Sequence, residues 1–280
     1  MASKKLKASE KAAIVSKMVT RLKKRYGGKA PQSDRNVLET WIFSSCLEDT
    51  TEEPAEAAYA ALLDAFHDLN EIRVSLISEI ERPLETLSEP AYRARRIREG
   101  LQHVFEEAFK FDLEPLRKKT QDSVTDDLKK VPFTTPFMRL YTLQAGLDSH
   151  VVPLDGHGLA LMRWVGLIDK DTDADAASDE LKSAVRKADV PLTTYLLRMA
   201  ANEPNVLAVT LDGSGDGEEV APDKQATKLD DLIDGKLVKA APKKASAKKS
   251  AAKKKAAPKK KVKAAKKKAV KKTKKAATKK

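Results

Sequence analysis

Along residues 8–25 the apolar positions Ala13, Ile14, Met18 and Leu22 recur at helical spacing with Lys and Arg between them. That pattern predicts an amphipathic helix, ended by Tyr26-Gly27-Gly28. Ser33-Asp34 offers caps for a second helix through Val37, Leu38, Trp41, Ile42 and Phe43, whose aromatic stripe reads as core. Thr50-Thr51 and Glu52-Glu53 open a third over 55–67, with Pro54 in its first turn, where a missing N–H costs nothing. A short fourth over 72–80 stops before Pro83, and Ser88-Glu89-Pro90 starts a long one. On that long helix Tyr92, Ile97, Leu101, Val104, Phe105 and Phe109 make the apolar face. Arg93, Arg95, Arg96 and Arg98 crowd its first half and read as a solvated face paired with Glu99, Glu106 and Glu107. Residues 112–119 and 124–130 are short amphipathic pieces. Residues 169–180 (DKDTDADAASDE) read as an acidic loop, followed by a helix to Ala188 and another over 192–201. Strand signals are nearly absent, so the fold class is all-α, built from many short helices with enough apolar faces for an ordinary core.

Charge divides the chain. The formal net charge is +13, yet residues 241–280 hold 20 lysines and no acid, and residues 1–30 sum to +9, which leaves −16 on residues 31–240. The expected organisation is a basic N-terminal helix (1–30), a helical domain (31–202), a flexible acidic linker (203–240) and a polycationic tail (241–280). The linker contains GSGDGEE and LDDLIDG, with a brief helix at 229–237. The tail is almost entirely Lys, Ala and Pro, and like-charge repulsion without apolar payload keeps such a segment disordered. Its lysines, among them Lys243, Lys244, Lys253, Lys254, Lys255, Lys259, Lys260 and Lys261, are suited to neutralising phosphates whatever the base sequence. The composition resembles the tails of linker histones and bacterial histone-like proteins. The expected partner is therefore DNA, held largely without sequence preference. No apolar run approaches the roughly 18–20 residues of a membrane span, and no amphipathic apolar face accompanies the tail, so a membrane partner is not expected. The single Cys46 excludes an internal disulfide framework or thiolate cluster. The start MASKKLKASEK lacks a secretory pattern, so the expected location is intracellular: cytoplasm or nucleoid, or a nucleus.

The stretch 131–164 (VPFTTPFMRLYTLQAGLDSHVVPLDGHGLALMRW) carries the candidate chemistry. Asp155 stands between a proline loop and a new apolar helix. On its own residues it reads as a helix N-cap as readily as a reactive carboxylate.

In the order and spacing of these landmarks, residues 36–167, about half of the chain, resemble the helix-hairpin-helix DNA glycosylases of the endonuclease III type. Residues 36–49 (NVLETWIFSSCLED) look like that family's early helix and polar loop. Residues 92–101 (YRARRIREGL) resemble its KAxxI helix, with Arg95 and Arg96 at the basic position. Residues 128–140 (LKKVPFTTPFMRL) lie where the family has the hairpin L-P-G-V-G-x-K-T-A. Residues 152–164 (VPLDGHGLALMRW) resemble V-D-T-H-x-x-R-V, which places Asp155 on the catalytic aspartate and His157 on the histidine. The resemblance implies a flipped nucleotide leaving through an oxocarbenium-like state that the aspartate stabilises while activating water. His157 reads as a structural hydrogen-bonding residue.

The departures are specific. Phe133, Thr134 and Thr135 replace the hairpin glycines whose N–H groups approach a phosphate, and Pro136 removes one donor. Threonine hydroxyls are the remaining phosphate donors there, with Lys129 and Lys130 just upstream. The position of the family's Schiff-base lysine is Phe137, with Lys129-Lys130 seven or eight residues too early, so lyase chemistry is not expected. The four iron–sulfur cysteines are missing, and neither cofactor nor metal is expected. The leading expectation is a monofunctional DNA glycosylase of base-excision repair. The alternative is a catalytically inactive glycosylase-fold protein bound to nucleoid or chromatin. A helical adaptor with accidental similarity is a third reading.

Overall fold

Capping chemistry sets most of the helix starts. In the computed structural model of the chain, residues 6–211 and 221–236 are described. Among these residues there are thirteen α-helices and no strand, as the all-α expectation requires. They are α1 (Ala8–Tyr26), α2 (Val37–Leu47), α3 (Glu52–Ala65), α4 (Leu69–Val74), α5 (Ile77–Glu81), α6 (Pro90–Ala108) and α7 (Gln121–Lys130). Then come α8 (Pro136–Tyr141), α9 (Gly156–Val165), α10 (Ala174–Lys182), α11 (Val190–Ala201), α12 (Pro204–Thr210) and α13 (Pro222–Ile233). None of them is long and apolar enough to cross a membrane.

Several boundaries differ from expectation for local reasons. Asn36, not Ser33 or Asp34, caps α2: its side chain accepts the Glu39 N–H at 2.9 Å and Glu39 reaches back to the Asn36 N–H at 2.9 Å. The helix expected over 72–80 is two helices, because Ser75 bonds back to the Glu71 carbonyl and Glu79 restarts the chain by capping Leu76. Residues 112–119 yield only a 3-10 turn, Glu114–Lys118. The acidic loop of 169–180 is half helix. Asp173 caps α10 through the Ala176 N–H at 2.8 Å, and Ala174, Ala177 and Leu181 are buried along one face.

Two hydrophobic cores organise the helices. The first gathers α2, α3, α6, α7 and α8 around Trp41, Phe43, Leu62, Ile97, Leu128 and Met138. The second gathers α1 and α9 to α13 around Met18, Leu22, Met162, Leu196, Val206 and Leu232. The basic N-terminal helix thus packs its apolar face into the second core. The segment expected to be a linker does so as well: Ala226, Leu229, Leu232 and Ile233 of α13 are buried, and Arg21 and Arg25 of α1 pair with Asp230 and Asp234. Helical spacing of those four residues outweighs the polar composition around them.

One close approach fixes the first core. Trp41 is fully buried, and its indole lies where a side chain at Gly100 of α6 would be: a Cβ there would stand 1.9 Å from the Trp41 ring. Gly100→Ala favours an open helix by about 1 kcal/mol. Here it is expected to lower stability by about 1–3 kcal/mol through overpacking. The check is the urea midpoint at unchanged slope, and a neutral or stabilised variant would contradict this packing.

Candidate functional site

The loop between α2 and α3 meets the head of α9, and each side holds the other by its backbone. The chain enters α9 extended at Asp155, whose Oδ1 accepts the Gly158 N–H at 2.7 Å as an N-cap. Its Oδ2 accepts the Asp49 N–H at 3.1 Å. Asp49 answers in kind, its Oδ1 accepting the His157 N–H at 3.0 Å. Asp49 itself is in the left-handed region (φ 55°), which a short polar side chain tolerates better than most. Gly156 completes the fit, since a Cβ there would lie 3.0 Å from the Asp49 carboxylate.

A second ring of polar contacts surrounds this clasp. The His157 Nδ1 meets the Asn202 Oδ1 at 2.8 Å, and the Asn202 amide donates to the Arg198 and Thr50 carbonyls at 3.0 and 3.3 Å. Arg198, buried on α11, donates to Glu52 of α3 at 2.5 Å and stands 5.7 Å over the Tyr141 ring. Burial works against the Arg198 charge, but Glu52, Tyr141 and Asp155 outweigh it and push its pKa up. Asp155 is 3 % exposed and faces a cavity of about 10 Å³ lined by Phe137, Pro153, Leu197 and Arg198. Burial raises its pKa and the Asp49 carboxylate raises it further, against the opposing pull of Arg198 and the Gly158 N–H.

The turn at 131–136 lies at the other end of the same loop. Arg93, expected on a solvated face, is 3 % exposed and donates to the Ser45 and Glu48 carbonyls, closing the C-terminus of α2. Arg96 pairs with the Glu48 carboxylate at 2.6 Å. Each threonine oxygen of the turn accepts one internal bond: Thr134 from the Trp41 indole at 3.2 Å, and Thr135 from the Met138 N–H at 3.1 Å, which caps α8. Phe133 adopts φ 58° at the tip, is 49 % exposed, and lies under the Arg95 guanidinium at 4.3 Å. Lys129 and Lys130 are exposed at the end of α7, and Lys130 pairs with Asp127 at 3.0 Å. Lys243, Lys244, Lys253, Lys254, Lys255, Lys259, Lys260 and Lys261 lie outside the described residues.

Residues of this arrangement that were not singled out for the site from the sequence include Asp49, Arg93, Arg198 and Asn202. One signal was there for Arg198, a charge among the buried residues Leu196, Leu197, Ala200 and Ala201 of α11. Cys46 is buried beside Arg93 and its thiol is pushed up to about 12, which makes it inert. Among the described residues no three His, Cys, Asp or Glu side chains are placed to hold a metal.

No family model matches the chain, and no curated protein matches its sequence. Solved structures do match. A trapped covalent complex of endonuclease III with DNA bearing an estranged adenine superposes with TM-score 0.53 at 13% identity, covering 67% of this chain and 84% of that one. A non-covalent endonuclease III–DNA complex gives 0.52 at 13% identity, with the same two coverages. A thermostable thymine-DNA glycosylase gives 0.51 at 12% identity over 69% and 87%. The chain has the helix-hairpin-helix glycosylase fold.

The Asp155 pKa has a testable consequence. The folded protein holds this proton more tightly than the unfolded chain, so stability falls as pH rises from the ordinary aspartate value of 3.8 through the raised folded value. Asparagine keeps the cap oxygen without the charge. The stability of wild type relative to Asp155→Asn is therefore expected to fall across that window, by up to about 1.4 kcal/mol per pH unit. Parallel pH profiles for the two proteins would remove the assignment.

Proposed function

From a glycosylase fold with its carboxylate at the head of α9, we propose that the chain binds DNA and acts as a monofunctional DNA N-glycosylase of base-excision repair. Asp155 supplies the carboxylate. The observation that carries the reading is the place of Asp155: a desolvated carboxyl group at a helix N-terminus, facing a small cavity that it shares with Phe137. A carboxylate shielded from water stabilises a developing oxocarbenium ion more strongly than a solvated one. Phe137 shares the cavity with Asp155 and has no amine, so a Schiff-base lyase step has no nucleophile at this position. About 10 Å³ holds no more than a water molecule, so a nucleotide enters only if lining residues such as Phe137 move.

DNA is gripped in two ways on this reading. At the turn, Phe133 and Arg95 offer a stacking surface, with Tyr92 exposed one turn earlier on α6, in place of the glycine N–H groups that would cradle a phosphate. The lysines of residues 241–280 supply a sequence-independent electrostatic hold, which offsets the −16 of residues 31–240.

A second reading, a DNA-binding protein without catalysis, is favoured by one observation. Both Asp155 oxygens are already engaged by backbone N–H groups. Release of damaged or mismatched bases from a duplex panel separates the two. Wild type is expected to release a base, Asp155→Asn to lose at least about 100-fold, and Phe137→Ala to retain activity. If DNA is bound but neither wild type nor Phe137→Ala releases any base, the protein is a binder. The tail is checked through salt. With six to ten lysines engaged, affinity should fall about 10³–10⁵-fold between 50 and 200 mM salt, and a chain ending at residue 240 should lose most of that slope. An unchanged slope would assign the grip elsewhere.

A further inference from the structure

The four arginines in the first half of α6 are not used alike. Arg93 donates to the Ser45 and Glu48 carbonyls, and Arg96 pairs with the Glu48 carboxylate. Arg98 donates to the Ser75 carbonyl at 3.0 Å and pairs with Glu99 at 2.7 Å. Arg95 has no carboxylate or carbonyl partner among the described residues. Its guanidinium instead lies over the ring of Phe133. Tyr92, three residues earlier and therefore on the same side of α6, is exposed as well. Two aromatic rings and a cation without a counter-charge thus face solvent together at the 131–136 turn.

The backbone of this turn is poorly equipped to cradle a phosphate. Pro132 and Pro136 carry no N–H, and the Thr134 N–H is bonded to the Val131 carbonyl at 3.3 Å. The tip is also strained. Phe133 lies in the left-handed region, which glycine adopts freely and a bulky side chain seldom does. Burial does not offset that strain, because the ring stands half open to solvent. Strain of this kind, held at an exposed aromatic residue, points to a use for the ring outside the fold.

We infer that Phe133 stacks on an unpaired base, so that this turn holds locally opened DNA in preference to intact duplex. A paired base has both faces covered by its neighbours, whereas an unpaired one offers a free π-face to an aromatic ring. The Arg95 guanidinium continues the stack behind Phe133. With exposed Lys129 it supplies positive charge for the flanking phosphates. This role rests on the DNA-binding part of the proposed function and requires none of its catalysis.

The test compares the affinity of the full chain for two duplexes of equal length, one fully paired and one with a short unpaired bubble. Both carry the same phosphates, so the lysine-rich segment contributes equally to each and the ratio isolates the stack. The bubble is expected to bind about 5–150-fold more tightly. Phe133→Gly suits the positive φ and removes the ring, so the protein should keep its Tm while the ratio falls towards one. Phe133→Trp keeps a flat surface and should keep the ratio. The salt slope should be the same in all three proteins, since stacking releases no counterions. Equal binding of the two duplexes by wild type, a preference that survives in Phe133→Gly, or a salt slope lowered in that variant overturns the inference. Base release is measured separately: its absence with the Phe133-dependent preference intact would remove the catalysis and leave the stack.

Discussion

The reciprocal clasp between the loop after α2 and the head of α9 is the constraint on which the rest depends. Each of the two hydrophobic cores has its own apolar reasons to form, but neither specifies how the loop of one meets the helix of the other. Asp49 and Asp155 do this by accepting each other's side of the backbone, and Asn202 and the Arg198–Glu52 pair extend the contact from α11 to α3. Such a network is rigid because every defection strands a buried polar group. Burial and the nearby Asp49 carboxylate make Asp155 difficult to ionise, and the bonds that join the two cores are made by the same carboxylate that the proposed chemistry would use.

The turn at 131–136 shows the same trade. Without glycines, the chain places Phe133 at positive φ and uses its threonines internally, Thr134 against Trp41 and Thr135 as the cap of α8. The turn is thereby built firmly into the first core. What remains for solvent is an aromatic ring under a guanidinium, which favours stacking over phosphate coordination.

The legible parts of the chain were those where a local pattern and its tertiary use agree. Ile97, Leu101 and Val104 of α6, the Pro90 start and the Asp155 cap are where periodicity and capping residues place them, whereas Tyr92 and Phe109 of the expected apolar face are exposed. The unread parts were those where composition and periodicity disagree. DKDTDADAASDE is polar enough for a loop, yet Ala174, Ala177 and Leu181 are spaced to bury one face. Residues 203–240 are polar around α13, yet four buried apolar residues and two ion pairs to α1 hold that helix in the second core. Arg93 reads as one arginine in a charged run, and only the α2 carbonyls beneath it set it apart from Arg95.

The sequence by itself determined the helical class, the helix-hairpin-helix resemblance, the position of the single aspartate and the charge division between body and tail. Each of these rests on local spacing or on composition, which need no knowledge of what lies opposite. The tertiary structure alone decided that Asp49 holds Asp155, that Phe137 lines the cavity beside it, and that Arg93 is buried. Those facts arise from residues of separate segments, 106 positions apart for Asp49 and Asp155, coming together in the packed chain. The free energy of a buried polar group depends on its partners, and partners from distant segments are a property of the packed fold.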